Sequence, residues 1–561
     1  MDRSITRRDF LQGVALAVGA SSLGCSGGRR SSTADPPLRT GLLGQDVDST
    51  RLGHRLRDRE TLGWPERFAD TGEDYDLIVV GAGLSGLATA HVYLRETKGR
   101  ARILLLDNHD DFGGHARRNT FEWQGTTRVA PGGTFALEEP EKSPPEAVAI
   151  FEDLGIDPRR LESFRDPDFR ARFGLSPGVF FDPRSHPDYS GARPSWVSGF
   201  HETPYADFFA RAPIPPEARR ELTELYTTRK NYLAGEAEPE RILTEMSWER
   251  FIREKMRLGD AAVRFAHLYA TDLIGLGCDA VSALAGYQVG PGFSGMGGEG
   301  FYEKDGVLRY GYQPLARYPD GNHTIARHLL KSILPAAVPG PRTMEGVFNS
   351  RVDYSAFDRA ESPVRLRLRS MVVRVSPIDS SRVAVDYLNP EGRGFRATAR
   401  HVIVAAWGMV AKHVVPGLSP EQREALGEYR YTSAVYINVL LRHWKPIAEL
   451  GLFEMYVPDG YCTWMQVSDP LRLGEYAPKY EPEQPTVLSL YKYLYRPGLP
   501  PLQQMILGRT ELEEKPFAEF EREIRVELNR WFGPWGFSAA DDILAITVNR
   551  WGHGYNFFKA P

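Results

Sequence analysis

The sequence predicts an α/β fold of two domains, a Rossmann-like dinucleotide-binding domain and a second, mixed α+β substrate domain, on three observations. A strand, a glycine turn, a helix, a second strand and an acid follow one another between Tyr75 and Asn119. The apolar run His401 to Gly408, HVIVAAWG, reads as a further strand of the same parallel sheet, buried on both faces. Between about Pro144 and Leu276 the apolar spacing turns helical, and after Pro416 helical and β-rich segments mix.

The 561 residues open on an address: Thr6-Arg7-Arg8-Asp9-Phe10-Leu11-Gln12, then the mild apolar run Gly13 to Leu23. This looks like a twin-arginine export signal over residues 1–30 and is too short for a permanent membrane span. It implies the export machinery as a partner and a periplasmic or extracytoplasmic destination. Gly24-Cys25 would allow a lipid anchor, the weaker reading, because Ser22 stands where a lipoprotein box has leucine. Residues 31–74 are polar and rich in Gly, Ser, Pro and charge, and read as a linker or lead-in arm.

The fingerprint follows. Leu77 to Val80 is an all-aliphatic strand, and Gly81, Gly83 and Gly86 form GxGxxG. The first glycine turns the chain, the second lets backbone approach a pyrophosphate, and the third lets helix pack on strand. Leu84 to Arg95 is the helix whose first amides, with those of Leu84 and Ser85, face the phosphates. Ile103 to Leu106 is the second strand, and Asp107, with Asn108 beside it, ends it about 20 residues past the last glycine, where an acid accepts hydrogen bonds from a ribose 2′-hydroxyl. That acid argues against a 2′-phosphate. A glycine turn between strand and helix is common by itself; the ordered context is what favours a nucleotide here.

A hairpin from Asn119 to Val129, turning near Gly125, leads into the glycine loop Pro131-Gly132-Gly133-Thr134, either a simple turn or a cofactor wall. Pro145 to Leu154, Pro216 to Leu233 and Ser247 to Leu273 are expected helices of an insertion; its aromatics (Phe180, Phe181, Trp196, Tyr269, Tyr287, Phe293, Phe301, Tyr302) read first as core. Gly290 to Gly300 is a loop. At Tyr318 the chain returns to the first domain, with a helix from Thr324 to Leu334 and β-rich runs Val364 to Val375, Arg382 to Tyr387 and Thr398 to Ala406. Beyond Pro416, helices are expected at Ser419 to Glu428 and Glu511 to Trp531, and strands at Ala434 to Arg442, Thr486 to Leu494 and Ile543 to Arg550. Tyr491, Tyr493 and Tyr495 share a sheet face, read as ordinary packing before cavity wall. The domains are thus 75–143 with 318–415, and 144–317 with 416–561.

Composition excludes several classes. Net charge is −4, so neither nucleic acid nor an anionic membrane surface is implied. Three cysteines, Cys25, Cys278 and Cys462, build no disulfide scaffold, and no CxxC or metal box occurs. No Ser-His-Asp constellation is legible and no catalytic side chain is assigned. His109, His115 and His553 are read as structural or phosphate contacts, and Asp279 and Glu299 as ammonium anchors or solvated loop acids.

LDNHDDFGGHARRNTF, with Gly113, Gly114, His115, Arg117 and Arg118 after the ribose acid, PGGT, GVFFD, LGCDAVSAL, PDGNHTIARHLL with LPAAVPG, ARHVIVAAWGMV and ITVNRWGHGY together resemble the spermidine dehydrogenase branch of the FAD-dependent amine oxidases. The resemblance implies the GR2/amine-oxidase type of Rossmann domain, FAD rather than NAD, the loop Gly132 to Thr134 beside the isoalloxazine ring, and a backbone contact from Val372 near the adenine. It implies oxidation of a polyamine C–N bond to an imine that hydrolyses to amine and aldehyde, with electrons passed to an acceptor the sequence does not name. Some members carry haem b, for which no ligand pair is read here. The family continues past the RWGHGY-like segment into a strand and helix that close over the flavin, expected to be missing in a chain that stops at Pro561; Phe135 to Glu139 also replace a more polar stretch. Alternatives are another FAD oxidoreductase of the same fold, an amino-acid oxidase or desaturase, or an exported flavin-fold protein without activity.

Overall fold

The computed structural model describes residues 40–58, 67–137, 140–182, 184, 189, 195–304, 307–310 and 316–557. The export signal, Cys25 and the pair Glu138-Glu139 lie outside them.

The first sheet has six strands in the order Val364–Arg367, Ile103–Leu106, Ala69–Val80, Gly394–Val404, Val383–Leu388, Met371–Pro377. The first four run parallel and the last two antiparallel. Strand alternation explains why the fingerprint strands are apolar throughout. Leu77, Val79, Ile103 and Leu105 pack under the helices Leu84–Glu96 and His323–Ile333, while Ile78, Val80, Leu104 and Leu106 pack against Val372, Val375 and Val385 of the antiparallel strands. All eight fingerprint-strand side chains are buried.

The second sheet has eight strands in the order Gly41–Gly44, Ile543–Phe557, Arg430–Leu441, Thr486–Tyr493, Trp464–Val467, Leu452–Tyr456, Ser176–Phe181, Ser195–Ser198. On one face Val435, Ile437, Val439 and Leu441 pack with Ile524, Leu528 and Trp531 of the helix Phe517–Phe532. The opposite face carries Tyr436, Trp464, Tyr491 and Tyr493 and is roofed by helices Tyr205–Arg211, Pro216–Thr227 and Asp260–Ile274, whose own core holds Phe200, Phe208, Phe209, Tyr226 and Phe265.

Four expectations are corrected. Residues 41–57, read as linker, form a strand parallel to Ile543–Phe557 and the helix Val47–Arg57, capped by Asp46. The helical insertion contributes two strands, Ser176–Phe181 and Ser195–Ser198, to the large sheet. The run 364–375 is two strands, because Arg369 turns through φ 53° as its amide bonds to His109 O and the Ser370 amide to Asp107 O. The single helix expected over 511–531 is two, Pro501–Glu514 and Phe517–Phe532, since Pro516 holds Lys515 in extended backbone.

Candidate functional site

The GxGxxG turn has the form an anion needs. The helix Leu84–Glu96 starts at Gly83 with no side-chain cap and no acid in its first turn. Gly83 and Gly114 face each other so closely that a Cβ on Gly114 would lie 3.1 Å from the Gly83 Cα, whereas a Cβ on Gly83 would make ordinary contacts at 3.6 Å. Gly86 is different: its Cβ would lie 1.9 Å from Gly81 O, so the third glycine is demanded by the turn itself. The Gly113 amide donates to Ala82 O at 2.8 Å and ties the second glycine pair to the first.

Asp107 ends its strand buried beside this turn. Its Oδ2 accepts from the Ala82 amide at 2.6 Å, and its Oδ1 accepts from the His109 amide at 2.8 Å and lies 3.0 Å from His109 Nδ1. Burial pushes the carboxyl up, and these hydrogen bonds outweigh it, so it lies below the ordinary range. Asn108 donates to Ser49 O at 2.9 Å, which docks the N-terminal helix on the nucleotide side. The guanidinium groups of the arginine pair are engaged by the protein itself: Arg117 with Asp111 at 2.9 Å, Arg118 with Phe348 O at 2.9 Å. Val372 has its side chain in the sheet core, which leaves its backbone as the group a ligand could reach.

The glycine loop joins this turn to the second domain. The Gly132 amide donates to Arg117 O at 2.7 Å, the Thr134 amide to His115 O at 3.0 Å, and Trp551 Nε1 to Gly132 O at 2.9 Å. His115 packs edge-on to Trp551 with centroids 4.9 Å apart, and Trp407 lies 4.7 Å from His553. Burial, with His109 and Arg117 nearby, lowers the His115 pKa to about 4, so its ring is neutral.

From this loop a cavity of about 610 Å³ runs between the large sheet and the helical roof. Its lining includes His115, Gly133, Thr134 and Trp551 beside the loop, the aromatics Phe135, Tyr436, Trp464 and Tyr491, and His201, Tyr310, Glu454 and Asp469 with Arg165, Arg170 and Arg317. Trp464 and Tyr491 are stacked at 4.7 Å. Asp469 is buried and paired with Arg317, with Arg165 at 3.4 Å, and among the described residues its Oδ1 has no hydrogen-bond partner. Burial raises its pKa, and the two arginines more than reverse this, so it is held ionised below the usual range. Glu454 accepts from Trp464 Nε1 at 2.5 Å and Tyr456 OH at 3.2 Å; burial outweighs these bonds and raises its pKa.

Of the residues expected from sequence, Gly133, Thr134 and His115 line the cavity. Tyr491 lines it too, while Tyr493 donates to Asp272 O at 3.0 Å and Tyr495 packs by His267. Neither Asp279 nor Glu299 is among the residues lining the cavity: Asp279 Oδ2 accepts from Gly498 N and Gln504 Nε2, both at 2.8 Å, and Glu299 is exposed. Asp469, Glu454, Arg317, Trp464 and His201 were missed because they come from separate segments with no motif of their own. Among the described residues, no group of three or more His, Cys, Asp or Glu could hold a metal ion.

A family model described as flavin containing amine oxidoreductase matches residues 84–560. Among solved structures, a putrescine oxidase, wild type bound to putrescine, aligns with a TM-score of 0.50 at 13% identity over 85% of this chain and 84% of that one. Cyclohexylamine oxidase from Brevibacterium oxydans IH-35A gives 0.48 at 16% over 85% of each. Oxidoreductase PigB of Serratia sp. (strain ATCC 39006) is 40% identical over 53 residues, which span 9% of this chain and only 7% of that protein.

Proposed function

This chain belongs to the flavin-containing amine oxidoreductase family, whose cofactor is FAD, and on that premise we propose that it oxidises a C–N bond of a polyamine of the spermidine type. When bound, FAD supplies the two-electron acceptor for hydride from the carbon next to nitrogen. The GxGxxG turn with Gly83 to Gly86 would hold the pyrophosphate, Asp107 the ribose, and Gly132 to Thr134 the ring side. The cradle fits: an uncapped helix start, two facing glycines and a buried ionised acid lie in one place.

The observation that carries the substrate class is an aromatic cavity with four acids on its lining, Glu202, Asp272, Glu454 and Asp469. A distal ammonium would be held by these carboxyl groups and by the faces of Tyr491 and Trp464. Around the reacting nitrogen, Phe135, Tyr436 and Tyr491 exclude water, which favours the neutral amine whose lone pair hydride loss requires. The imine released is hydrolysed by water to amine and aldehyde. A cavity without acids would have favoured a desaturase or an amino-acid oxidase; Asp469 and Glu454 weigh against that reading.

Anaerobic mixing with spermidine tests this. Bleaching of the flavin band with aldehyde formed on turnover is expected, and Asp469→Asn should raise the KM for spermidine by about tenfold or more. A flavin that no di- or polyamine bleaches would defeat the reading.

A further inference from the structure

One segment beside the nucleotide turn comes from before Tyr75. The strand Gly41–Gly44 runs along Thr547 to Arg550 of the last strand and ends at Gly44, φ 79°, where a Cβ would lie 2.5 Å from Arg550 O. Gln45 continues the seam. Its amide donates to Arg550 O at 3.0 Å, and its Oε1 accepts from the Gly552 amide at 2.6 Å. Gly552 stands between His553 and Trp551, the residue bonded to the ring-side glycine loop at Gly132 O. The helix Val47–Arg57 then crosses to the nucleotide domain. Asn108, next to the ribose acid, donates from Nδ2 to the carbonyl of buried Ser49 at 2.9 Å. Leu52 and Leu56 share an apolar cluster with Met371, Val373 and Val414. Met371 opens the outermost strand of the six-stranded sheet, directly after Ser370, whose amide is bonded to Asp107 O. The segment is thus anchored at both ends of the cofactor site: at Gly552 beside the ring-side loop, and at Asn108 and Met371 beside the ribose acid.

We propose that residues 45–57 form a strap over the adenosine half of bound FAD, latched by the Asn108 side chain, so that the site admits and releases FAD only when the strap lifts. Asn108 is then a positioning residue that acts on the nucleotide through Ser49. The strap is built to lift without unfolding either domain. Its strand is the outermost of the eight-stranded sheet, held along one edge, whereas the fingerprint strands lie between neighbours. FAD beneath the strap adds contacts that the empty site lacks, so binding favours the closed state. The proposal concerns the cofactor and holds whichever amine is oxidised.

Release of FAD from the holoenzyme, followed after dilution by the recovery of flavin fluorescence, tests this. The dissociation rate is expected to rise at least about tenfold in Gly44→Ala, whose methyl meets Arg550 O, and in Leu56→Ala, which loses packing on Met371 and Val373. Neither residue belongs to the Gly81 to Gly86 cradle. Rates within about twofold of wild type in both variants overturn the proposal. Hydrogen exchange on the wild-type protein decides it without any substitution. Amides of residues 47–57 are expected to exchange at least about tenfold more slowly in FAD-loaded than in flavin-free protein, a larger change than in the helix Phe517–Phe532 on the far face of the large sheet. Equal exchange in the two states, or slowing no greater than in that helix, overturns the proposal.

Discussion

The side-chain amides of Asn119 and Asn549 exchange two hydrogen bonds, Asn119 Nδ2 to Asn549 Oδ1 at 3.0 Å and Asn549 Nδ2 to Asn119 Oδ1 at 2.9 Å. Asn119 belongs to the hairpin before the glycine loop, and Asn549 to the last strand of the large sheet. Asn119 Oδ1 also accepts from Asn438 Nδ2 at 2.9 Å and Thr547 Oγ1 at 2.6 Å, all of them buried. This is the joint that sets the loop Gly132 to Thr134 against the cavity.

Asn119→Leu would therefore leave several buried polar groups short of a partner at once. A loss of about 2–4 kcal/mol in unfolding free energy is expected, given roughly 1–3 kcal/mol for each unsatisfied group and partial recovery by water. Urea denaturation measures it, and a change below about 1 kcal/mol would show that the two domains are registered by other contacts.

The glycines of the fingerprint should separate into two behaviours. Gly83→Ala fits the protein, with ordinary contacts at 3.6 Å, so it is expected to fold normally and lose flavin because its methyl stands where pyrophosphate approaches. Gly86→Ala puts a carbon 1.9 Å from Gly81 O and should lower stability itself. Flavin content set against melting temperature distinguishes them; full flavin in Gly83→Ala would move the pyrophosphate elsewhere.

Glu527 gives a pH dependence. Burial raises its pKa from 4.5 to about 7 against the pull of Arg530 Nη2 at 2.6 Å, with Asp182 adding to the rise. A carboxyl with a raised folded pKa contributes stability below its unfolded value and loses it as pH climbs through the folded one. Between pH 4.5 and pH 8 the wild type should thus lose on the order of 2–3 kcal/mol relative to Glu527→Gln. Urea melts of both proteins at the two pH values check this, and a constant difference between them would contradict it.

Export is tested at the first residues. If Arg7 and Arg8 form the address, changing both to lysine should keep folded, yellow protein in the cytoplasm, because lysine retains charge without the guanidinium geometry a receptor reads. Cell fractionation decides; the double variant in the periplasm at the parental level would refute the assignment.

The nucleotide half of this protein was legible from its sequence for a local reason. Strand, turn, helix, strand and acid lie within 33 residues from Tyr75 to Asp107, and each residue type there answers a constraint set by its chain neighbours, as Gly86 answers Gly81 O. The hairpin was read from turn chemistry and the strand through Val402 from its unbroken apolar run; the strand is there, but Ile403 is exposed and the run is not buried on both faces. What periodicity could not supply is partnership at long range. It took Arg369 for the middle of a strand, since the turn there is fixed by bonds to Asp107 and His109, and it took residues 41–57 for a linker, since their strand exists only beside Ile543–Phe557. Apart from His115, Gly133, Thr134 and Tyr491, the cavity belongs to this second kind. Asp469 and Glu454 lie on the substrate sheet side, Arg317 on the returning chain and His201 under the helical roof, and nothing in their own neighbourhoods marks them. Only the packing of two sheets and a roof brings an ionised acid, a neutral histidine and an aromatic wall around one space, because burial and pairing, which give those groups their chemistry, are properties of the assembled fold.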